Sequence, residues 1–194
     1  MSTSEQAGYE LAAVAARAIP PGPLRALTEQ FAALEQRPAL AEMTAWLRDL
    51  HVEAADLRPY VSYKEKTYAR HRVFRNEHVE LLVLCWRPGQ RTPIHDHSGS
   101  YGVVRVWSGV MWETMFEMDA RRGLVYRAGR DWRAGALTGA DVPDIHQLGN
   151  PDVSGQDLIT LHLYAPPLVS LNIYTPGRKD STSTLSLNSW NPTI

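Results

Sequence analysis

The sequence has a single cysteine, Cys85, so no disulfide can close within the chain, and nothing else points to an oxidising compartment. It has no excess of charge. The 20 Lys and Arg are balanced by 21 Asp and Glu, for a net charge of −1, which argues against a nucleic-acid backbone or an anionic membrane as partner. No apolar run approaches the roughly 20 residues needed to cross a bilayer. The first ten residues, MSTSEQAGYE, are polar and acidic and lack the charged-then-apolar plan of a signal peptide. Internal repeats and low-complexity stretches are also missing. We therefore expect a cytoplasmic protein, acting as a monomer and binding neither nucleic acid nor membrane.

What is present is an ordinary globular balance, with 44% hydrophobic and 21% charged residues in 194. That length favours one domain with a sizeable core. We expect a helical layer over about residues 1–60, a β-barrel over about 61–176 and a tail over 177–194. The 3.6-residue period predicts helices from about residue 8 to 55. Leu24, Leu27, Phe31 and Leu34 share one face of residues 23–36, and Leu40, Met43, Trp46, Leu47 and Leu50 share one face of the next segment. Pro20-Pro21-Gly22-Pro23 and Arg37-Pro38 break the chain between helices.

From about residue 66 the pattern changes to short runs at 79–86, 101–107, 110–117, 124–128, 132–137, 158–164 and 168–174. Turn residues such as Arg87-Pro88-Gly89, Arg121-Arg122-Gly123 and Gly149-Asn150-Pro151 separate them, which predicts a sandwich or barrel. Ser108-Gly109, between two apolar runs, predicts a hairpin. The Ser- and Thr-rich tail after Pro176 reads as a last strand or as cover for the barrel.

Among the seven histidines, His95 and His97 stand two apart. On a strand that spacing sends both imidazoles to one face, half of a metal site. Alone, the pair also fits two polar side chains near a turn. Its surroundings say more. Gly89, His95, His97, Gly102 and Gly109 follow the spacing of the first cupin signature, G-x5-H-x-H-x3,4-E-x6-G. Pro143 and His146-x3-Asn150 supply the end of the second. The fold expected is therefore mainly β, a cupin (jelly-roll-like) barrel with an N-terminal α-helical layer, holding a transition metal on His95, His97 and His146. The glutamate position of the signature is Gly102. Three neutral ligands then leave the metal charge uncompensated and positions open, which suits an anionic ligand such as a thiolate together with dioxygen.

Residues 68–174 resemble the cysteine dioxygenase-type thiol dioxygenases. The resemblance is carried by Leu84-Cys85-Trp86, Ile94-His95-Asp96-His97, Ile145-His146 and Leu161-His162-Leu163-Tyr164-Ala165-Pro166-Pro167. It implies Fe(II) on His95, His97 and His146, and oxidation of a small-molecule thiol to a sulfinic acid by O2. It implies that Arg70, beside Tyr68, grips the substrate carboxylate in the bidentate way a guanidinium allows. A solvated cluster with Lys64, Lys66, Arg72 and Arg75 is the other reading of Arg70.

Thr160, His162 and Tyr164 alternate along one run, and the resemblance implies a relay of hydroxyl, imidazole and phenol beside the metal, with Thr160 in place of the family's serine. Animal members join a cysteine at the position of Gly102 to this tyrosine. Gly102 excludes that link, so Tyr164 should stay unmodified. Cys85 reads as core packing. Relatives acting on 3-mercaptopropionate carry glutamine where this chain has Arg70, so the resemblance points to L-cysteine. Another mercapto-carboxylate such as mercaptosuccinate, a non-oxidative zinc or manganese cupin, and a ligand-binding module without turnover stay open, although no DNA-binding motif accompanies a sensor reading.

Overall fold

The computed structural model describes residues 22–140, 144–180 and 183–187, so the helix expected before residue 20 and the signature residue Pro143 lie outside the described residues. Helices come first: α1 (Pro23–Ala32), α2 (Leu40–Asp49) and α3 (Ala54–Leu57). Pro23 opens α1, where a missing N–H is harmless. The Glu42 carboxylate accepts the Ala39 N–H at 2.8 Å at the start of α2. Helix α1 stops at Ala32, short of residue 36, because the chain tightens there into Ala33 N–H to Gln30 and Leu34 N–H to Phe31 carbonyl bonds.

Eleven strands follow: β1 (Ala69–Arg75), β2 (Glu80–Trp86), β3 (Ile94–Asp96), β4 (Tyr101–Ser108), β5 (Val110–Asp119), β6 (Gly123–Arg133), β7 (Leu137–Ala140), β8 (Ile145–Gly149), β9 (Leu158–Ala165), β10 (Ser170–Tyr174) and β11 (Ser183–Ser186). They form a five-stranded sheet, β1-β2-β9-β4-β7, and a six-stranded sheet, β11-β10-β3-β8-β5-β6. The two sheets enclose one core of Leu82, Leu84, Trp86, Met111, Leu148, Leu158 and Leu171, among others. Helices α1 and α2 cover the outer face of the five-stranded sheet through Leu24, Phe31, Met43 and Leu47. This is the cupin-type barrel with a helical layer.

Strands β2 and β9 are buried along their whole length because each has a core on both sides. Leu81, Val83, Cys85, Leu161 and Leu163 face the helices. Their neighbours Leu82, Leu84 and Trp86 face the barrel interior, as does Tyr164. Cys85 is core packing, as expected. Burial pushes its thiol up to about 11. Among the described residues no helix is long and apolar enough to cross a membrane.

Two expectations are corrected. Ser108-Gly109 is not a hairpin, because β4 pairs with β7 and β9 while β5 pairs with β6 and β8. The dipeptide carries the chain from one sheet to the other. Gly109 has φ +87° and packs so closely that a Cβ would meet the Asp157 carbonyl at 2.6 Å. Residues 132–137 are not one strand either. Gly135, at φ +88°, turns the chain between the end of β6 and the start of β7. In the tail, β11 forms on β10, and Leu187 enters the barrel core.

Phe31 is fully buried, with ring centroids 5.3 Å from Trp46 and 5.8 Å from Phe74. Phe31→Ala should lower unfolding free energy in urea titrations by about 3–5 kcal/mol. A loss below about 1 kcal/mol would mean that the helical layer contributes little to the barrel's stability.

Candidate metal centre

The site begins with β3 and β8, where His95 and His146 stand directly opposite each other in the ladder. His97 lies one residue beyond β3 and is brought inward by the turn that follows, where Ser98 has φ +47°. Asp96, between the two histidines, points the other way and ties this short segment to β10. Its carboxylate accepts from Tyr174 Oη at 2.6 Å, Asn172 Nδ2 at 3.0 Å and the Ser98 N–H at 2.9 Å. Burial alone would raise the Asp96 carboxyl. These bonds outweigh it and hold the carboxyl below its ordinary value.

The three imidazoles are 3% exposed each. Their ring centroids stand 5.2 Å (His95–His97), 4.9 Å (His95–His146) and 4.9 Å (His97–His146) apart, nearly an equilateral triangle. One nitrogen from each falls within 4.8 Å of the others, so the group could hold a metal ion. The donor set fits. His95 donates Nδ1–H to the Pro93 carbonyl at 2.9 Å, which leaves Nε2 as a lone-pair donor. His146 Nε2 and both nitrogens of His97 are buried without a hydrogen-bond partner. Buried orphan nitrogens are costly unless something binds them. Burial, then the neighbouring His146, lowers His95 to about 3, and burial with the same crowding takes His97 well below its ordinary value. Neutral imidazoles are the form that binds a cation.

One expectation fails here. The three ligands are not without a carboxylate. Glu113, 4% exposed on the inward face of β5, accepts His146 Nδ1–H at 3.0 Å and Trp132 Nε1–H at 2.7 Å. Asp144 Oδ2 lies 3.2 Å from the same His146 nitrogen without making a hydrogen bond. The cupin motif places its carboxylate at Gly102, and the chain supplies one from another strand. The signal is present in the sequence. Met111 and Glu113 are two apart in a strand, so a carboxylate shares the face of a core methionine.

Opposite this group stands the inner face of β9. Thr160 Oγ1 lies 2.8 Å from His162 Nε2, and His162 Nδ1 lies 3.0 Å from Tyr164 Oη. Tyr164 approaches His97 with ring centroids 5.4 Å apart. Trp86, no more than a family marker in the sequence, sets the direction of this chain. Its indole N–H donates to Thr160 Oγ1 at 3.0 Å, and an indole can only donate. The buried Thr160 hydroxyl then spends its own proton on His162 Nε2, which makes His162 the Nδ1–H tautomer. His162 donates to the Tyr164 oxygen, so the phenol hydrogen is left for the cavity. Burial drives His162 well below its ordinary value, with the Arg70 charge adding to the effect, and it pushes the Tyr164 phenol up.

Arg70, on the β1 strand edge, lies close enough that its charge bears on His95, His162, Tyr164 and Tyr68. Its neighbours turn elsewhere: Arg72 Nε lies 3.0 Å and Arg75 Nη1 3.6 Å from the buried Glu80. Tyr68 stacks on Trp86 at 4.1 Å between centroids, and burial pushes its phenol up to about 12. Gly102 pairs with Tyr164 in the ladder, and a Cβ there would sit 2.7 Å from two carbons of the tyrosine ring.

The His162 assignment has a checkable consequence. Its folded-state pKa is depressed, so between that value and the ordinary 6.5 the unfolded chain binds the extra proton. Stability from this group is full above about pH 6.5 and is lost as pH falls. Imidazole nitrogen NMR should show an Nδ1–H tautomer that does not titrate between about pH 8 and 5.5. An ordinary titration near 6.5 would sink the assignment.

Comparison with known proteins gives the chain's family. The family model described as cysteine dioxygenase type I matches residues 12–176. Curated relatives include cysteine dioxygenase type 1 of Rattus norvegicus, 27% identical over 148 residues, covering 74% of this chain and 72% of that protein. The Danio rerio protein of the same name is 24% identical over 143 residues, covering 70% and 69%. Among solved structures, a Thermus thermophilus protein aligns with TM-score 0.49 and 22% identity over 58% of this chain and 95% of its own. A Klebsiella pneumoniae protein with a double-stranded β-helix domain aligns with TM-score 0.48 and 19% identity, over 61% and 86%. The match over residues 12–176 takes in the histidine triangle, Arg70 and the inner face of β9, and on it the chain belongs to the cysteine dioxygenase type I family.

Proposed function

We propose that the protein is an Fe(II)- and O2-dependent thiol dioxygenase that converts L-cysteine to cysteine sulfinic acid. The observation that carries this reading is the meeting of three buried histidines, a phenol and the Arg70 charge around one spot. The reaction balances as RSH + O2 → RSO2H, with sulfur losing four electrons, dioxygen gaining four, and both oxygen atoms kept in the product. Iron held by His95, His97 and His146 supplies acidification of the thiol and makes dioxygen reactive toward sulfur.

The chain's own residues do the rest. Arg70 binds the substrate carboxylate, while Arg72 and Arg75 are drawn to Glu80 instead. Tyr68, stacked on Trp86, walls the cavity beside it. Tyr164, accepting from His162, presents its phenol hydrogen to the reacting atoms and returns a proton through the same oxygen. The Thr160–His162 bond keeps that phenol oriented. Any mercapto-carboxylate presents the group Arg70 recognises, so 3-mercaptopropionate and mercaptosuccinate are the second reading.

Iron-loaded protein should consume O2 with L-cysteine and form the sulfinate one for one. Consumption with mercaptosuccinate or 3-mercaptopropionate alone would move the assignment to those thiols. Arg70→Ala should raise KM for L-cysteine at least about tenfold, since a charge-assisted bond contributes ~1.5–3 kcal/mol. An unchanged KM rules out the carboxylate role. Tyr164→Phe should lower kcat by about 10²-fold with KM little altered.

A further inference from the structure

The three histidines of the candidate centre are not equivalent. His95 gives its second N–H to a neutral backbone carbonyl. The second nitrogen of His97 has no hydrogen-bond partner. Of the three, His146 alone hydrogen-bonds to a carboxylate, that of Glu113, with Asp144 Oδ2 3.2 Å away and not hydrogen-bonded. The Glu113 carboxylate is itself placed with care. Each oxygen accepts one N–H, Oε1 from His146 and Oε2 from Trp132, so it has no rotational choice. Trp132 comes from β6, the neighbour of β5 in the six-stranded sheet, and stands across from Met111. Among the described residues no lysine or arginine forms an ion pair with Glu113; His146 is its ion-pair partner, and the Arg130 charge acts on it from the facing position on β6. A carboxylate 4% exposed is costly to bury unless its oxygens are hydrogen-bonded, and the bonds from His146 and Trp132 meet that cost.

We propose that Glu113 is a positioning residue for the metal centre. Its carboxylate, clamped by Trp132, locks His146 as the Nδ1–H tautomer with Nε2 aimed at the ion, and it supplies the negative charge that three neutral imidazoles lack. The ion in turn is the countercharge for Glu113. An imidazole whose N–H is given to a carboxylate is a stronger donor through its other nitrogen, so His146 is the tightest of the three ligands. The inference rests on the metal-binding half of the proposed function and is independent of which thiol, or whether any thiol, is oxidised.

The test uses Co(II) and Zn(II), which need neither thiol nor O2. Glu113→Gln keeps the size of the side chain and an acceptor for His146 but removes the charge. Chelator competition should show Co(II) and Zn(II) bound about 10–100-fold more weakly than by the wild-type protein. The Co(II) ligand-field spectrum should shift. Affinities within twofold of wild type overturn the proposal, as does a metal-free protein destabilised with affinity intact, the signature of a merely structural carboxylate.

A second measurement needs no variant. In the Zn(II)-loaded wild-type protein the His146 Nδ1–H proton should resonate further downfield than that of His95, whose acceptor is a neutral carbonyl. The reverse order overturns the proposal. Failure of sulfinate production by the iron-loaded wild-type protein, with Co(II) binding still weakened in Glu113→Gln, would refute the oxygenase reading alone.

Discussion

Three imidazoles share one buried spot, and burial holds His95 and His97 there in the uncharged form. This constraint organises the rest of the site. A neutral imidazole has one donor and one acceptor nitrogen, so each ring must be told which way to face. The Pro93 carbonyl does this for His95 and the Glu113 carboxylate for His146. The short β3 segment pairs at one position with β8 and at three with β10, and Asp96 adds side-chain bonds to Asn172 and Tyr174 on β10. Outward and inward faces of the same three residues thus perform different tasks.

Two polar networks of opposite character reach this spot from the two sheets. From the six-stranded sheet comes negative charge, on Glu113 with Asp144 nearby. The five-stranded sheet brings positive charge on Arg70 and a directed row of neutral donors that runs from Trp86 through Thr160 and His162 to Tyr164. A cation is favoured on one side and a carboxylate-bearing ligand on the other, with the phenol hydrogen between them. Glu113, Trp86, Thr160, His162 and Tyr164 lie where solvent is excluded, so each hydrogen bond among them holds its geometry firmly and each missing partner would be costly.

Much of this arrangement is legible in the amino-acid sequence. The spacing of His95, His97 and His146 with its glycines picks out the three histidines that meet, and the alternation of Thr160, His162 and Tyr164 places those three on one face, because side-chain direction in a strand follows parity. Parity also holds for Cys85, which turns to the helices. What escapes is information carried by pairing between distant strands. Ser108-Gly109 has the composition of a hairpin turn, yet the partners of β4 and β5 are chosen by other strands. Gly102 removes the motif's carboxylate, and only the β5–β8 register returns one through Glu113. Strand β1 escapes because its alternating arginines look solvated until Glu80 gathers two of them.

The place of β9 in its sheet bears on how the chain comes to be folded at all. β9 lies between β2 and β4, and it is the last of the five strands to be synthesised. At translation rates of roughly 5–20 residues per second, β2 and β4 wait several seconds for their common partner. During that interval two apolar strands have open edges, the condition in which chains pair with one another instead of with themselves. Ladder contacts spanning residues 80–86 and 158–164 also put most of the sheet's order late in the search, so folding belongs to the slow, millisecond-to-second class. The helices, complete long before β9 appears, are the part of the chain able to shelter the waiting face of β2.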